Sequence, residues 1–307
     1  YCLTLLLITL CILRSSMKVS GFTFIKDALI YDYPIVEAIR SILPLCDEVV
    51  VAVGKSKDET LELIKQIGSP KIRIIETEWD EGLREGGAVL AMETNKAFAA
   101  ISPDSDWAFY IQGDEVIHEK YLDTIKTQML MYEKEKKVDG FLFHYLHFYG
   151  SYDYVGSSSR WYKHEIRVIR NDRSIYSYKD AQGFRKGNNE KLNVVLLDAY
   201  VYHYGWVREP GAMQRKQENF HKYWYENSWV EDNVKKADRF DYESHVSELN
   251  PFLLDQPQVM KKRIASKNWK FDFDISHNRK TLKEKAKYFI HRYLGMDFNY
   301  KNYKLIK

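Results

Sequence analysis

A chain of 307 residues, 45% hydrophobic and 29% charged, suits one large globular domain, or one domain with an appended lobe. Its formal charge of +3, with basic residues scattered except near Lys261 to Arg263, excludes a phosphate-backbone coat, so no nucleic-acid partner is expected. Three cysteines, Cys2, Cys11 and Cys46, form no CxxC pair and imply neither a disulfide nor a structural zinc.

The opening YCLTLLLITLCILRSS, residues 1–16, runs apolar from Cys2 to Leu13. It is short of the roughly 20 apolar residues that span a bilayer. It also lacks the charged start and small-residue cleavage site of a secretion signal. The expectation is sequence translated upstream of a start at Met17, with a weak peripheral membrane anchor as the alternative.

From Lys18 the pattern alternates. VSGFTFI reads as a strand, and Ile35, Ala38, Ile39 and Ile42 fall on one helical face behind Pro34. The strand EVVVAV (Glu48 to Val53), the helix TLELIKQI, the strand KIRII, a helix from about Glu85 to Ile101 and the strand DWAFYI follow. Continuous apolar strands separated by helices predict an α/β fold, a mostly parallel sheet with helices on both faces. A helix with Leu122, Ile125, Met129 and Tyr132 on one face then leads to DGFLFHYLHFYG, WYKHEIRVIR and LNVVLLDAYVYHYG, predicted strands of mixed direction. Asn171 to Asn189 is expected to be a loop. The stretch after Arg208 reads as helical and aromatic without a clear strand.

The absence of GxGxxG after a strand, of GxxxxGK[ST] and of HExxH makes a dinucleotide dehydrogenase, a P-loop NTPase and a zincin poor fits. What remains is FYIQGDEVIHE, an apolar strand ending in adjacent acids, Asp114 and Glu115. In parallel sheets chemistry sits at the carboxyl ends of the strands. Asp114 there offers oxygen ligands for Mg²⁺ or Mn²⁺. It can equally cap the helix beginning near His118. His144 and His147, in FLFHYLHFYG, alternate as ordinary strand residues.

The order and spacing of FTFIKDA, SILPLCDEVVVAVGKSKDET, IRIIETEWDEG and DWAFYIQGDEVIHEKYL resemble the nucleotide-binding half of a family 2 glycosyltransferase of GT-A fold. EIRVIRND, VYHYGWVREPGAMQRKQ and ELNPFLLDQPQVMKKRI resemble a mainly bacterial branch of that family. The resemblance implies a Rossmann-like GT-A domain over residues 17–207, with a mixed β region, and a helical extension over 208–307 packed on it. It implies transfer of a sugar from a nucleotide-diphosphate donor to a glycan or lipid-linked acceptor, with inversion and divalent-metal assistance, in the cytoplasm or at the inner face of the membrane.

Residue by residue, it places Asp27, Asp58, Arg84, Asn95 and Gln112 at the donor, and Asp114, Glu115 and His203 at the metal. Asp180, then Glu165, are the candidate bases. Trp161, Tyr204 and Trp206 are candidate acceptor walls, since aromatic rings pack on sugar C–H faces. Two positions depart from the pattern. Gln112 stands where the first acid of an Asp-x-Asp motif is usual, and Gly54 where many relatives carry Asp. The alternatives are a nucleotidyltransferase of similar sheet, or a nucleotide- or carbohydrate-binding module without catalysis. The basic helix VMKKRI and the aromatic stretch Phe220 to Trp229 leave peripheral membrane contact open.

Overall fold

The computed structural model describes residues 17–80, 82–83, 86–158, 161–225, 229, 236–246, 248–277 and 301–306. The extension at 1–16 and Arg84 lie outside the described residues. The strands are β1 (Val19–Ile25), β2 (Glu48–Gly54), β3 (Ile72–Thr77), β4 (Trp107–Tyr110), β5 (Glu115–Ile117), β6 (Gly140–Tyr149), β7 (Tyr154–Gly156), β8 (His164–Arg170), β9 (Ile175–Tyr178), β10 (Gly183–Lys186), β11 (Glu190–Lys191), β12 (Asn193–Trp206), β13 (Leu249–Pro251) and β14 (Lys304–Leu305). Among the described residues the α-helices are α1 (Ile35–Ile42), α2 (Thr60–Lys65), α3 (Ala88–Ala100), α4 (Leu122–Met131), α5 (Pro210–Phe220) and α6 (Lys261–Ala265).

The main sheet runs β13-β7-β6-β8-β4-β1-β2-β3, with β12 added beside β6. The β1 to β4 half is parallel, and β8 joins it antiparallel on β4. This is the mostly parallel α/β architecture that the apolar strands predict. Both faces of β2 are buried because both are covered. Val49, Val51 and Val53 pack in one core with Ile35, Ile39 and Ile42 of α1, whereas Val50 and Ala52 pack in a second core with Ala97 and Phe98 of α3. A strand buried on both faces loses the polar alternation of a surface strand, which explains the unbroken EVVVAV.

Two expectations are corrected. The predicted loop from Asn171 to Asn189 contains β9 and β10, which form a small antiparallel sheet with β11. The stretch after Arg208 contributes β13 and β14, and both join the main sheet, β13 on β7 and β14 on β12. Asp114 does not cap the helix that follows; His118 does, its Nδ1 accepting from the Lys120 amide at 3.2 Å. Among the described residues no helix is long and apolar enough to cross a membrane. The basic helix α6 is fastened to the domain by Arg263, which pairs with Asp32.

Three registers build the functional edge. β1 and β4 pair in parallel, Phe22 opposite Tyr110, so the loops leaving their carboxyl ends lie side by side. β12 runs parallel to β6 and its far end pairs antiparallel with β5, His203 opposite Glu115. The β6–β8 pair carries that end of the sheet, and Gly140 stands opposite Ile169 in it.

A Cβ at Gly140 would lie 2.3 Å from the Val168 carbonyl oxygen, a clash with backbone that no rotamer relieves. Gly140→Ala is therefore expected to lower stability by about 1–3 kcal/mol, the cost typical of forced overpacking. Urea denaturation checks this, and an unchanged midpoint contradicts the close approach.

Candidate active site

A cavity of about 360 Å³ opens at the carboxyl edge of β1 and β4. Lys26 and Tyr31, after β1, and Gln112 and Asp114, after β4, line it. So do His203 and Trp206 of β12 and Lys216 of α5. Trp79, after β3, and Asp180, from the turn between β9 and β10, complete this lining.

Asp114 is the electrostatic centre. Its Oδ2 accepts from Lys216 Nζ at 3.3 Å and from Arg208 Nη2 at 3.4 Å, and its Oδ1 lies 3.8 Å from His203 Nε2. Its backbone carbonyl takes the Tyr204 amide at 2.8 Å, which locks the loop to β12. Burial opposes ionisation of this carboxyl, but Lys216, His203 and Arg208 outweigh it and hold the group well below the usual carboxylate range. Arg208 is fully buried, donates through Nε to the Tyr31 carbonyl at 2.7 Å and lies over the Tyr33 ring. Lys216 pays for its position: burial first, then Arg208, push its ammonium down to about 7 against the pull of Asp114.

Glu115, the first residue of β5 after the Gly113–Asp114 turn, points away from the cavity. Both its oxygens take Arg167, Nε and Nη2 each at 2.7 Å, and Oε1 also takes the Tyr145 hydroxyl at 2.7 Å. All three side chains are buried, and Glu115 does not line the cavity. The carboxylate expected at a metal is thus committed to an arginine.

His203 lines the cavity, and its partner is His147, which alternates along β6 like an ordinary strand residue. His147 Nε2 donates to the Tyr162 carbonyl at 2.8 Å, so in the neutral ring its Nδ1 must accept, and it does so from His203 Nδ1 at 2.9 Å. That chain leaves His203 Nε2 as a bare lone pair facing Asp114. Burial, opposed by Asp114, holds His203 down at about 4, and burial followed by His203 holds His147 at about 3.

Asp180 lines the cavity too. Its neighbours Lys179 and Ala181 both sit in the left-handed region, φ 53° and 61°, a strained pair of the kind found where a side chain is held for use. Burial raises the Asp180 carboxyl. Gln112 braces this turn by donating from Nε2 to the Ala181 carbonyl at 3.1 Å, a bond that a carboxylate at 112 could not make. Gly54 has a similar logic: a Cβ there would fall 2.4 Å from Trp79 Nε1, so the missing side chain admits the indole that forms the cavity wall. Both departures from the family pattern therefore serve this cavity's own walls.

The remaining expected residues divide. Trp161 and Trp206 line the cavity, whereas Tyr204 turns away, stacking on Phe148 and donating to Gln256 at 2.7 Å. Asp27 and Asp58 brace the loops beside the cavity rather than line it. Asp27 accepts from the Lys57 amide at 2.6 Å, and Asp58 from the Leu29 and Ile30 amides at 2.9 and 2.8 Å. Asp58 faces a separate acidic groove with Glu59, Glu62, Glu76 and Glu78. Asn95 clasps the backbone of Ser177 from both sides at 2.7 and 2.9 Å, tying α3 to β9. Glu165 is buried in β8, its carboxyl pushed up to about 8 by burial, and does not line the cavity. Lys216, Arg208 and His147 carry no motif of their own, and only their contacts reveal them.

The donor set does not fit a resident Mg²⁺ or Mn²⁺. Only Asp114 Oδ1 and His203 Nε2 face one point, and among the described residues no three His, Cys, Asp or Glu side chains are grouped to hold a metal. The second oxygen of Asp114 already faces two cations.

No family model matches the chain, and no curated protein sequence matches it. Among solved structures it is similar to S. aureus TarS, at 14% identity, covering 66% of this chain and 38% of that one, with a TM-score of 0.39. It is similar to TarS 1–349 in complex with UDP, at 15% identity over 72% of this chain and 68% of that one, TM-score 0.40. It is also similar to glucosyl-3-phosphoglycerate synthase from Mycobacterium tuberculosis in complex with Mn²⁺, UDP and phosphoglyceric acid, at 17% identity over 43% and 44%, TM-score 0.30. The chain thus spans little more than a third of the first TarS structure. Scores this low carry nothing about the site, which rests on the residues above.

Removing one partner of the Glu115–Arg167 pair leaves a buried, uncompensated charge. Arg167→Met is expected to lose about 3–5 kcal/mol in urea denaturation, and the double variant Glu115→Gln/Arg167→Met to recover most of it. Equal losses in single and double variants contradict the pairing.

Proposed function

We propose that the chain is a glycosyltransferase moving a sugar from a nucleoside-diphosphate donor to a hydroxyl of a glycan or lipid-linked acceptor, with inversion at the anomeric carbon. One observation carries the reading. One cavity at the carboxyl edge of a parallel sheet is lined both by a charged centre, Asp114 with Lys216, and by members of two separate aromatic groups. Trp79 and Tyr223 belong to one, Trp161 and Trp206 to the other. A flat base, a charged diphosphate and a sugar ring call for the same three kinds of surface. Aromatic faces take the first and last, and an ammonium takes the middle.

In this reading the acceptor oxygen attacks the anomeric carbon from the face opposite the diphosphate. The bond from that carbon to the β-phosphate oxygen breaks, and its electron pair leaves on the diphosphate. The hydroxyl proton passes to the Asp180 carboxylate, whose raised basicity suits the task. Lys216 meets the negative charge that grows on the leaving group.

A panel of sugar nucleotides, scored by released diphosphate with and without candidate acceptors, tests this. One donor is expected to release diphosphate slowly, and faster with acceptor. Because Asp180 must be deprotonated to act and its carboxyl is raised, the rate should climb with pH through a step displaced upward from the ordinary Asp value, then fall as Lys216 loses its proton at about 7. Asp180→Asn should remove that step and cost about 10²–10⁴ in turnover with nucleotide binding retained. Glycan binding without any nucleotide binding sinks the proposal in favour of a binding module.

A further inference from the structure

We propose that the diphosphate site operates without a resident divalent ion, Lys216 meeting the diphosphate directly while Arg208 holds Asp114 in place behind it. This rests on the nucleotide-sugar reading above. Its origin is the mismatch between the acids expected to bind a metal and what the structure gives them. Glu115 is sealed into a buried pair with Arg167, both nitrogens at 2.7 Å. Gln112 brings no charge and spends its amide on the Ala181 carbonyl. Asp114 alone keeps a carboxylate at the cavity, and two cations already stand on one of its oxygens, at 3.3 and 3.4 Å.

A dication between Asp114 Oδ1 and His203 Nε2 would therefore meet one negative charge and two positive ones, where hard divalent ions look for several oxygen ligands. A diphosphate meets the opposite balance. With Lys216 protonated, the side chains around Asp114 carry more positive than negative charge, and Lys216 presents that surplus on the cavity wall whereas Arg208 is fully buried. Lys216 is also held in place, donating to the Gly205 carbonyl at 3.0 Å with its ammonium 5.3 Å from the Tyr33 ring and 5.5 Å from the Phe220 ring. A fixed cation at the spot where leaving-group charge develops is the service that a metal otherwise supplies.

Calorimetric titration with UDP and GDP, in chelator and again in excess Mn²⁺, decides the matter. Affinity for the preferred nucleotide should change less than about threefold between the two conditions. Lys216→Met should weaken it about 10- to 100-fold in chelator, the size of one lost charged hydrogen bond, and Lys216→Arg should restore most of it. A melting curve of each variant separates lost binding from lost folding. Nucleotide binding that requires Mn²⁺ and vanishes in Asp114→Asn overturns the metal-free site yet leaves the glycosyltransferase reading standing. Failure of the folded protein to bind any nucleotide in either condition overturns both.

Discussion

Two adjacent carboxylates at the tip of a buried strand cannot both stay ionised in a dry interior unless each meets its own cation. The chain meets this constraint twice. Glu115 takes Arg167 from the antiparallel strand beside β4, and Asp114 takes Arg208 and Lys216 from the segment that follows β12. Because Asp114 lies in the turn and Glu115 opens β5, the two acids reach different partners: one pair fastens the sheet and the other looks into the cavity. The positive groups lie 52 to 102 residues away in sequence, so closing these pairs fixes the position of β8, the β5–β12 junction and α5 together.

The cavity inherits its shape from that arrangement. With Asp114 tied to the end of β12, His203 and Trp206 are delivered to one wall, and Lys216 is drawn inward by the acid it neutralises. The part of the lining that Trp79 and Asp180 form depends on two absences. Gly54 leaves room for Trp79, and Gln112 has a donor where an acid would have none, holding the strained turn that presents Asp180. The positions that look like losses against a family pattern are therefore packing solutions particular to this site.

Much of the fold was legible in the sequence because its signals are local. β1 coincides with VSGFTFI, and Ile35, Ala38, Ile39 and Ile42 are all buried on α1 as their spacing requires. β9 and β10 were missed because IYSY and GFRK are short and mixed, with no alternation long enough to separate strand from loop. The site was legible in part. Asp114, Gln112, His203, Asp180, Trp161 and Trp206 do line one cavity, since the strand-end rule finds residues by position. That rule is blind to which neighbour of a strand-end acid points inward, which is why Glu115 was assigned to a metal. It is equally blind to distant cations, so it does not single out Lys216 or Arg208. Asp27 and Asp58 fell in the expected loops, but their carboxylates are spent on backbone amides.

The account stands on Asp114 and Lys216 forming the charged centre of a nucleotide-sugar site, with the buried Arg208 behind them. A crystal structure with UDP bound tests it most directly. It should place a β-phosphate oxygen about 3 Å from Lys216 Nζ, with the uracil against Trp79. UDP lodged in the acidic groove beside Asp58 and Glu76, or carried by a divalent ion between Asp114 and His203, would contradict it.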